Sequence, residues 1–121
     1  MAQFRPADAE KHFRRAWKRN PGSTVPAVFY GDCLAMQEKF DEAIKILLKG
    51  LKAQGDRDEV YLNLGLIKRS QRQYGKARSY LLKALAITPN YPSAKQALAD
   101  VERWLKFTNS ASGRSSERGI P

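Results

Sequence analysis

Residues 24–57 recur as residues 58–91. The two stretches of 34 residues align without a gap and share seven identities: Gly31/Gly65, Gln37/Gln71, Ala43/Ala77, Leu47/Leu81, Leu48/Leu82, Lys49/Lys83 and Leu51/Leu85. Tyr30/Leu64, Phe40/Tyr74 and Gly50/Ala84 match conservatively. A period of this size marks an array of stacked supersecondary units. One unit cannot bury its own apolar face, so its neighbours must supply the rest of the core. A further shift of 34 takes Ala43, Leu47 and Lys49 to Ala9, Phe13 and Arg15, and Pro89 through Gly55 to Pro21. The first stretch is therefore read as the second half of an earlier repeat.

Inside each period the apolar residues keep helical spacing. Ala43, Leu47, Gly50 and Leu51, like Ala77, Leu81, Ala84 and Leu85, fall at i, i+4, i+7 and i+8. The punctuation agrees. Ser23 or Thr24 can cap a helix that has Pro26 in its first turn. Breaks fall at Lys39-Phe40-Asp41, Gly55-Asp56-Arg57-Asp58, Gln73-Tyr74-Gly75 and Asn90-Tyr91-Pro92. The pattern predicts six helices, near 6–19, 24–37, 41–54, 58–71, 75–88 and 92–107, and no strand. The last carries Ala94, Leu98, Val101 and Leu105 on one face, as a helix that caps the array. The domain is then 1–107: a half repeat 6–23, full repeats 24–57 and 58–91, and a capping helix 92–107. Residues 108–121, TNSASGRSSERGIP, offer too little apolar surface to offset their ordering entropy and are expected to be disordered.

Tyr61, Leu64-Gly65, Tyr74, Ala77, Leu81, Ala84 and Pro89 together resemble the tetratricopeptide repeat (TPR) family. The first full repeat follows with Tyr30-Gly31, Phe40, Ala43 and Leu47, and the half repeat with Ala9, Phe13, Ala16 and Pro21. The chain departs from the pattern at Ala27 and Lys68, where an aromatic is usual, and at Gly50 and Gly55. The resemblance covers residues 6–107. It implies an all-α fold, a right-handed superhelical array of antiparallel helix hairpins with a concave inner face lined by the first helix of each repeat.

The resemblance also places candidate residues on that face. Val28, Phe29, Asp32 and Met36 stand in the first repeat, Leu62, Asn63, Leu66 and Arg69 in the second, and Asp100, Arg103 and Trp104 on the closing helix. Phe29, Leu62, Leu66 and Trp104 are expected to form an apolar strip for a peptide. Arg69 and Arg103, one period apart, would stand side by side and grip a carboxylate. The competing reading packs Phe29 and Leu62 locally and pairs the arginines with Glu59 and Asp100. Val28, Asp32, Ser93 and Ala97 occupy the positions where TPR clamps for chaperone tails need Lys, Asn, Lys and Arg, so no such clamp is expected, and Asn63 alone matches it.

Charge and rare residues narrow the function. There are 22 Lys and Arg against 12 Asp and Glu, a net charge of +10. By segment the balance is +4 for 1–23, 0 for 24–57, +4 for 58–91 and +2 for 92–121. Lys11, Arg15, Lys18, Lys45, Lys49, Lys52 and Lys83 form a basic stripe on the second helices. It supports an alternative reading, a basic scaffold for nucleic acid or an anionic surface, although no recognition-helix, RNA-binding or zinc-finger pattern accompanies it. One cysteine, Cys33, and one histidine, His12, leave no disulfide, Cys-built zinc site or two-imidazole site. No phosphate-cradling glycine loop is present, and Gly31 and Gly65 read as helix-packing residues. We therefore expect no catalysis and no cofactor. No apolar run is long enough to span a bilayer, and the N-terminus lacks the apolar core of a secretory signal, so a cytoplasmic domain is expected.

The expected role is protein binding, as an adaptor or assembly scaffold that holds an acidic or apolar peptide segment in the groove. The half repeat lacks its first helix. Phe4, Phe13 and Trp17 are then expected to lie open for self-association, as in a homodimer, unless the chain continues a longer array.

Overall fold

A computed structural model describes the backbone of residues 5–119 and the side chains of residues 5–108. Six helices follow one another: α1 Pro6–Arg19, α2 Thr24–Met36, α3 Phe40–Gly50, α4 Arg57–Ser70, α5 Tyr74–Ile87 and α6 Pro92–Gly119. Local chemistry explains where they begin. Pro6 opens α1 with its fixed φ and no donor to satisfy. The Ser23 hydroxyl accepts from the Val25 N–H at 3.3 Å and caps α2. Acidic residues stand in the first turns of α1, α3 and α4, and basic residues in their last turns, as the helix dipole favours.

The hairpin turns are copies of each other. Glu38 and Arg72, one period apart, take left-handed φ values of 60° and 61°. Behind them the Lys39 N–H donates to the Leu34 carbonyl at 2.9 Å, and the Gln73 N–H to the Lys68 carbonyl at 2.8 Å. These are Schellman closures, made here without the usual glycine. The packing inside each hairpin is copied too. A methyl group on Gly31 would meet Leu47 Cγ at 2.8 Å, and one on Gly65 would meet Leu81 Cγ at 2.8 Å. Ala43, Leu47, Ala77 and Leu81 are fully buried beside them. The period seen in the sequence is thus a period in space.

The stacking is asymmetric. Helix α4 packs against α2, α3, α5 and α6, whereas among the described residues the backbones of α1, α3 and α5 do not approach one another. First helices meet on one side while second helices splay on the other, which bows the array and leaves its concave side on α2, α4 and α6. One junction has its own lock. The Thr24 N–H donates to the Gln54 carbonyl at 2.9 Å, and the Gln54 N–H to the Gly22 carbonyl at 2.8 Å. Gly55 follows at φ +129°, and a side chain there would collide with Thr24 Oγ1. That is why glycine stands where the neighbouring periods have proline, whose φ is held near −65°.

Two departures from the sequence reading follow. Helix α6 carries its backbone past Phe107, to Gly119. The half repeat is not left open either. Phe13 stacks on Phe29 at 5.2 Å, and Trp17 lies against Tyr30 at 5.9 Å with the Lys49 ammonium 5.3 Å from its ring centre. Helix α1 uses α2 as its partner, so both rings are partly buried in the core. Phe4 lies outside the described residues.

Candidate functional site

The concave side carries two adjoining cavities. One, of about 420 Å³, lies between α2 and α4 and is lined by Asp32, Ala35, Met36, Glu38, Phe40, Asn63, Leu66, Ile67 and Ser70. The other, of about 480 Å³, lies between α4 and the start of α6 and is lined by Leu66, Arg69, Pro92, Ser93, Gln96 and Ala97. Leu66 belongs to both, so they read as one groove across the three first helices.

Five expected residues stand in this groove together: Asp32, Met36, Asn63 and Leu66 at the first cavity, with Arg69 at the second. The others do not join them as expected. Val28 and Leu62, one period apart, are core residues with 4% and 6% of their surface exposed. Phe29 is half exposed but turns toward α1, where it stacks on Phe13. Trp104 lies at the far end, parallel to Tyr74 at 5.8 Å and edge-on to Phe107 at 6.1 Å. The apolar strip of Phe29, Leu62, Leu66 and Trp104 is therefore not one surface. The reason is helical geometry: neighbouring positions differ by about 100° around the axis, so a step of one residue separates core from groove.

Arg69 and Arg103 do flank a single carboxylate, but it is the protein's own. Asp100 Oδ2 lies 3.6 Å from Arg69 Nη1, and its Oδ1 lies 3.7 Å from Arg103 Nη2. Asp100 thus occupies the place expected for a ligand, and Glu59 is not their partner.

The first cavity has the opposite electrostatics. Burial, and after it the Glu59 carboxylate, pushes the Asp32 carboxyl up from its ordinary range. Glu38, on the left-handed turn, adds a second carboxylate to the lining. The sequence reading missed Glu38 because it drew candidates only from the first helices and the closing helix, and Glu38 stands on the turn after α2. Nearby, Glu10 accepts from Gln37 at 2.8 Å and from Lys39 at 3.0 Å. The Lys39 hydrogen bond, then that of Gln37, holds the Glu10 carboxyl below its usual range.

On the outer side Lys11, Arg15, Lys18, Lys45, Lys49, Lys52 and Lys83 are exposed. Lys49 and Lys83 are engaged with rings: Lys83 sits 5.8 Å from the Tyr61 ring centre and 5.7 Å from that of Tyr80. His12 is exposed and Cys33 is buried on α2, where burial pushes the thiol pKa up; the two do not form a pair. Among the described residues no helix is long and apolar enough to cross a membrane.

Stacked helical hairpins with a grooved inner face define a class of repeat proteins that act as interaction scaffolds. Two profiles of the tetratricopeptide repeat match this chain, one over residues 1–65 and one over residues 58–91. The chain belongs to the tetratricopeptide repeat family. Among characterised proteins it is similar to the type IV pilus assembly protein PilF of Pseudomonas aeruginosa, at 27% identity over 103 residues. That match covers 84% of this chain and 41% of PilF, so the chain spans about two fifths of its relative. Among solved structures it is similar to the TPR domain of Arabidopsis OM64, with a TM-score of 0.73, 18% identity and 81% of each chain covered. This second likeness is one of fold.

Proposed function

We propose that the protein is a non-catalytic assembly scaffold that holds a segment of another protein in the groove across α2, α4 and α6. The observation that carries this reading is the pair of adjoining cavities joined at Leu66 on the concave face. They are preformed, which lowers the ordering cost of binding, and they suit an extended segment laid across the helices. PilF is by its name an assembly protein, and an assembly role for this chain agrees with that likeness. A cytoplasmic setting, where the groove would meet its partner, completes the reading.

The test is a selection of binders from a random dodecapeptide phage library, repeated with synthetic peptides against variants. Leu66→Arg puts a charge into both cavities and should weaken binding about tenfold or more, as hot-spot truncations do. Lys45→Glu with Lys49→Glu on the outer face should leave the affinity within about twofold. Equal losses for both variants would move the site off the concave face.

A further inference from the structure

The α2–α4 cavity is negative in a protein of net charge +10. Its lining includes the carboxylates of Asp32 and Glu38 and no lysine or arginine. Among the described residues the Asp32 side chain has no ion-pair partner, although Lys39, Arg69, Arg78 and Arg103 all find carboxylates elsewhere. A half-buried carboxylate without a counter-ion is costly. Its raised pKa expresses the same cost.

A second observation points into the same space. Asn63 is only 7% exposed, lines this cavity from α4, and its side-chain amide makes no hydrogen bond among the described residues. Among the described residues the enclosed polar atoms without a partner are Trp17 Nε1 and Gln71 Oε1, so the Asn63 amide is not sealed in the core but opens onto the cavity, free to bond what enters it. Ala35, Met36 and Leu66 complete the walls with apolar surface, which fits the methylene stem of a long cationic side chain. The second cavity is the poorer host for a cation, because Arg69 lines it and shares the one Asp100 carboxylate with Arg103.

We propose that the α2–α4 cavity is the specificity subsite of the groove and takes a lysine or arginine side chain of the bound segment, with Asp32 and Glu38 as counter-ions and the Asn63 amide oxygen as a further acceptor. The proposal rests on the groove reading above and names its ligand chemistry. It replaces an acidic segment with a basic one: the carboxylates that line the α2–α4 cavity have no ion-pair partner among the described residues.

The experiment uses two probes of opposite charge. N-acetyl-arginine methylamide, titrated into the ¹⁵N-labelled protein, should shift the Asn63 side-chain resonances and the Ala35 and Leu66 amides. N-acetyl-aspartate methylamide should leave them in place. Peptides from the phage selection should carry a basic residue whose change to glutamine weakens binding about tenfold, the loss expected for a charge-assisted hydrogen bond. On the isosteric Asp32→Asn protein, checked for native helicity, that change should cost little more. Glu38→Gln, at an exposed position, gives a second reading of the same loss. Equal shifts from the two probes, or none, overturn the subsite. Peptides that depend on Leu66 but not on a basic residue overturn the subsite alone. Peptides indifferent to Leu66 overturn the groove as well.

Discussion

A single methyl group separates a closed hairpin from a strained one. In α4, Gly65 lets Leu81 come so near that an added Cβ would sit 2.8 Å from its Cγ, inside a fully buried contact. Gly75, in the next helix, has nothing within 4 Å of an added Cβ. The same substitution should therefore take opposite signs. Gly75→Ala gains helix propensity, up to about 1 kcal/mol. Gly65→Ala gains it too but overpacks a core site, which costs about 1–3 kcal/mol, so a net loss is expected. Urea denaturation of the two variants measures both. Asp32 poses a second question of sign. In the unfolded chain its pKa is about 3.9. Burial and Glu59 raise it in the fold, so the folded state holds the proton more tightly. Stability from this group is full below the unfolded value and is lost as pH rises through the folded one. At neutral pH Asp32 is a cost, which Asp32→Asn should relieve. Melting temperature against pH should show a gain at pH 7 that fades toward pH 4. Glu10 runs the other way: its lowered pKa contributes stability above the unfolded value, lost as pH falls through the folded one. A site that keeps a destabilising carboxylate is one where a ligand can supply the missing counter-ion.

Helices join into hairpins by rules that the repeat makes visible twice, and the junctions between hairpins are where the two copies differ. The Gly22–Thr24 turn bonds to Gln54, and Thr24 Oγ1 accepts from the Asp56 N–H at 3.0 Å. At the next junction the Thr88 hydroxyl donates to the Asp58 carboxylate instead. Ala27 and Gly50, both departures from the family pattern, lie against each other: a Cβ on Gly50 would sit 3.2 Å from that of Ala27. One small residue thus answers another across α2 and α3, and Val60 of α4 closes on the same spot. Gly55→Ala should destabilise by about 1–3 kcal/mol, because it forces a side chain into a left-handed φ and into Thr24. Differential scanning calorimetry would read the loss. A variant as stable as the parent would mean that the turn has another conformation available.

As an array, the molecule has a centre and an end. Helix α4 packs its backbone against four neighbouring helices and α1 against α2 alone. In a stack of this kind stability is nearly a sum over units and their interfaces, so the end opens first. Native-state hydrogen exchange should find the slowest amides in α4 and the fastest helical amides in α1. Uniform protection would mean a single cooperative unit. The same stacking decides function. Most of the helix boundaries are legible in the sequence to within a residue or two, because apolar spacing, caps and breaks act over a few residues and the 34-residue period doubles each signal. The hairpin contacts of Gly31 with Leu47 and of Gly65 with Leu81 are legible for the same reason. Which inner positions stay open was not. Leu62 and Asn63 are neighbours in the chain and both are buried, yet only Asn63 lines the cavity. Asp100 reaches both arginines because α6 crosses beside α4, and Glu38 reaches the groove because its turn is left-handed. Short-range pattern alone determined the helices and their pairing. The charge and shape of the groove depend on how three helices far apart in sequence meet, and only the folded array decides that.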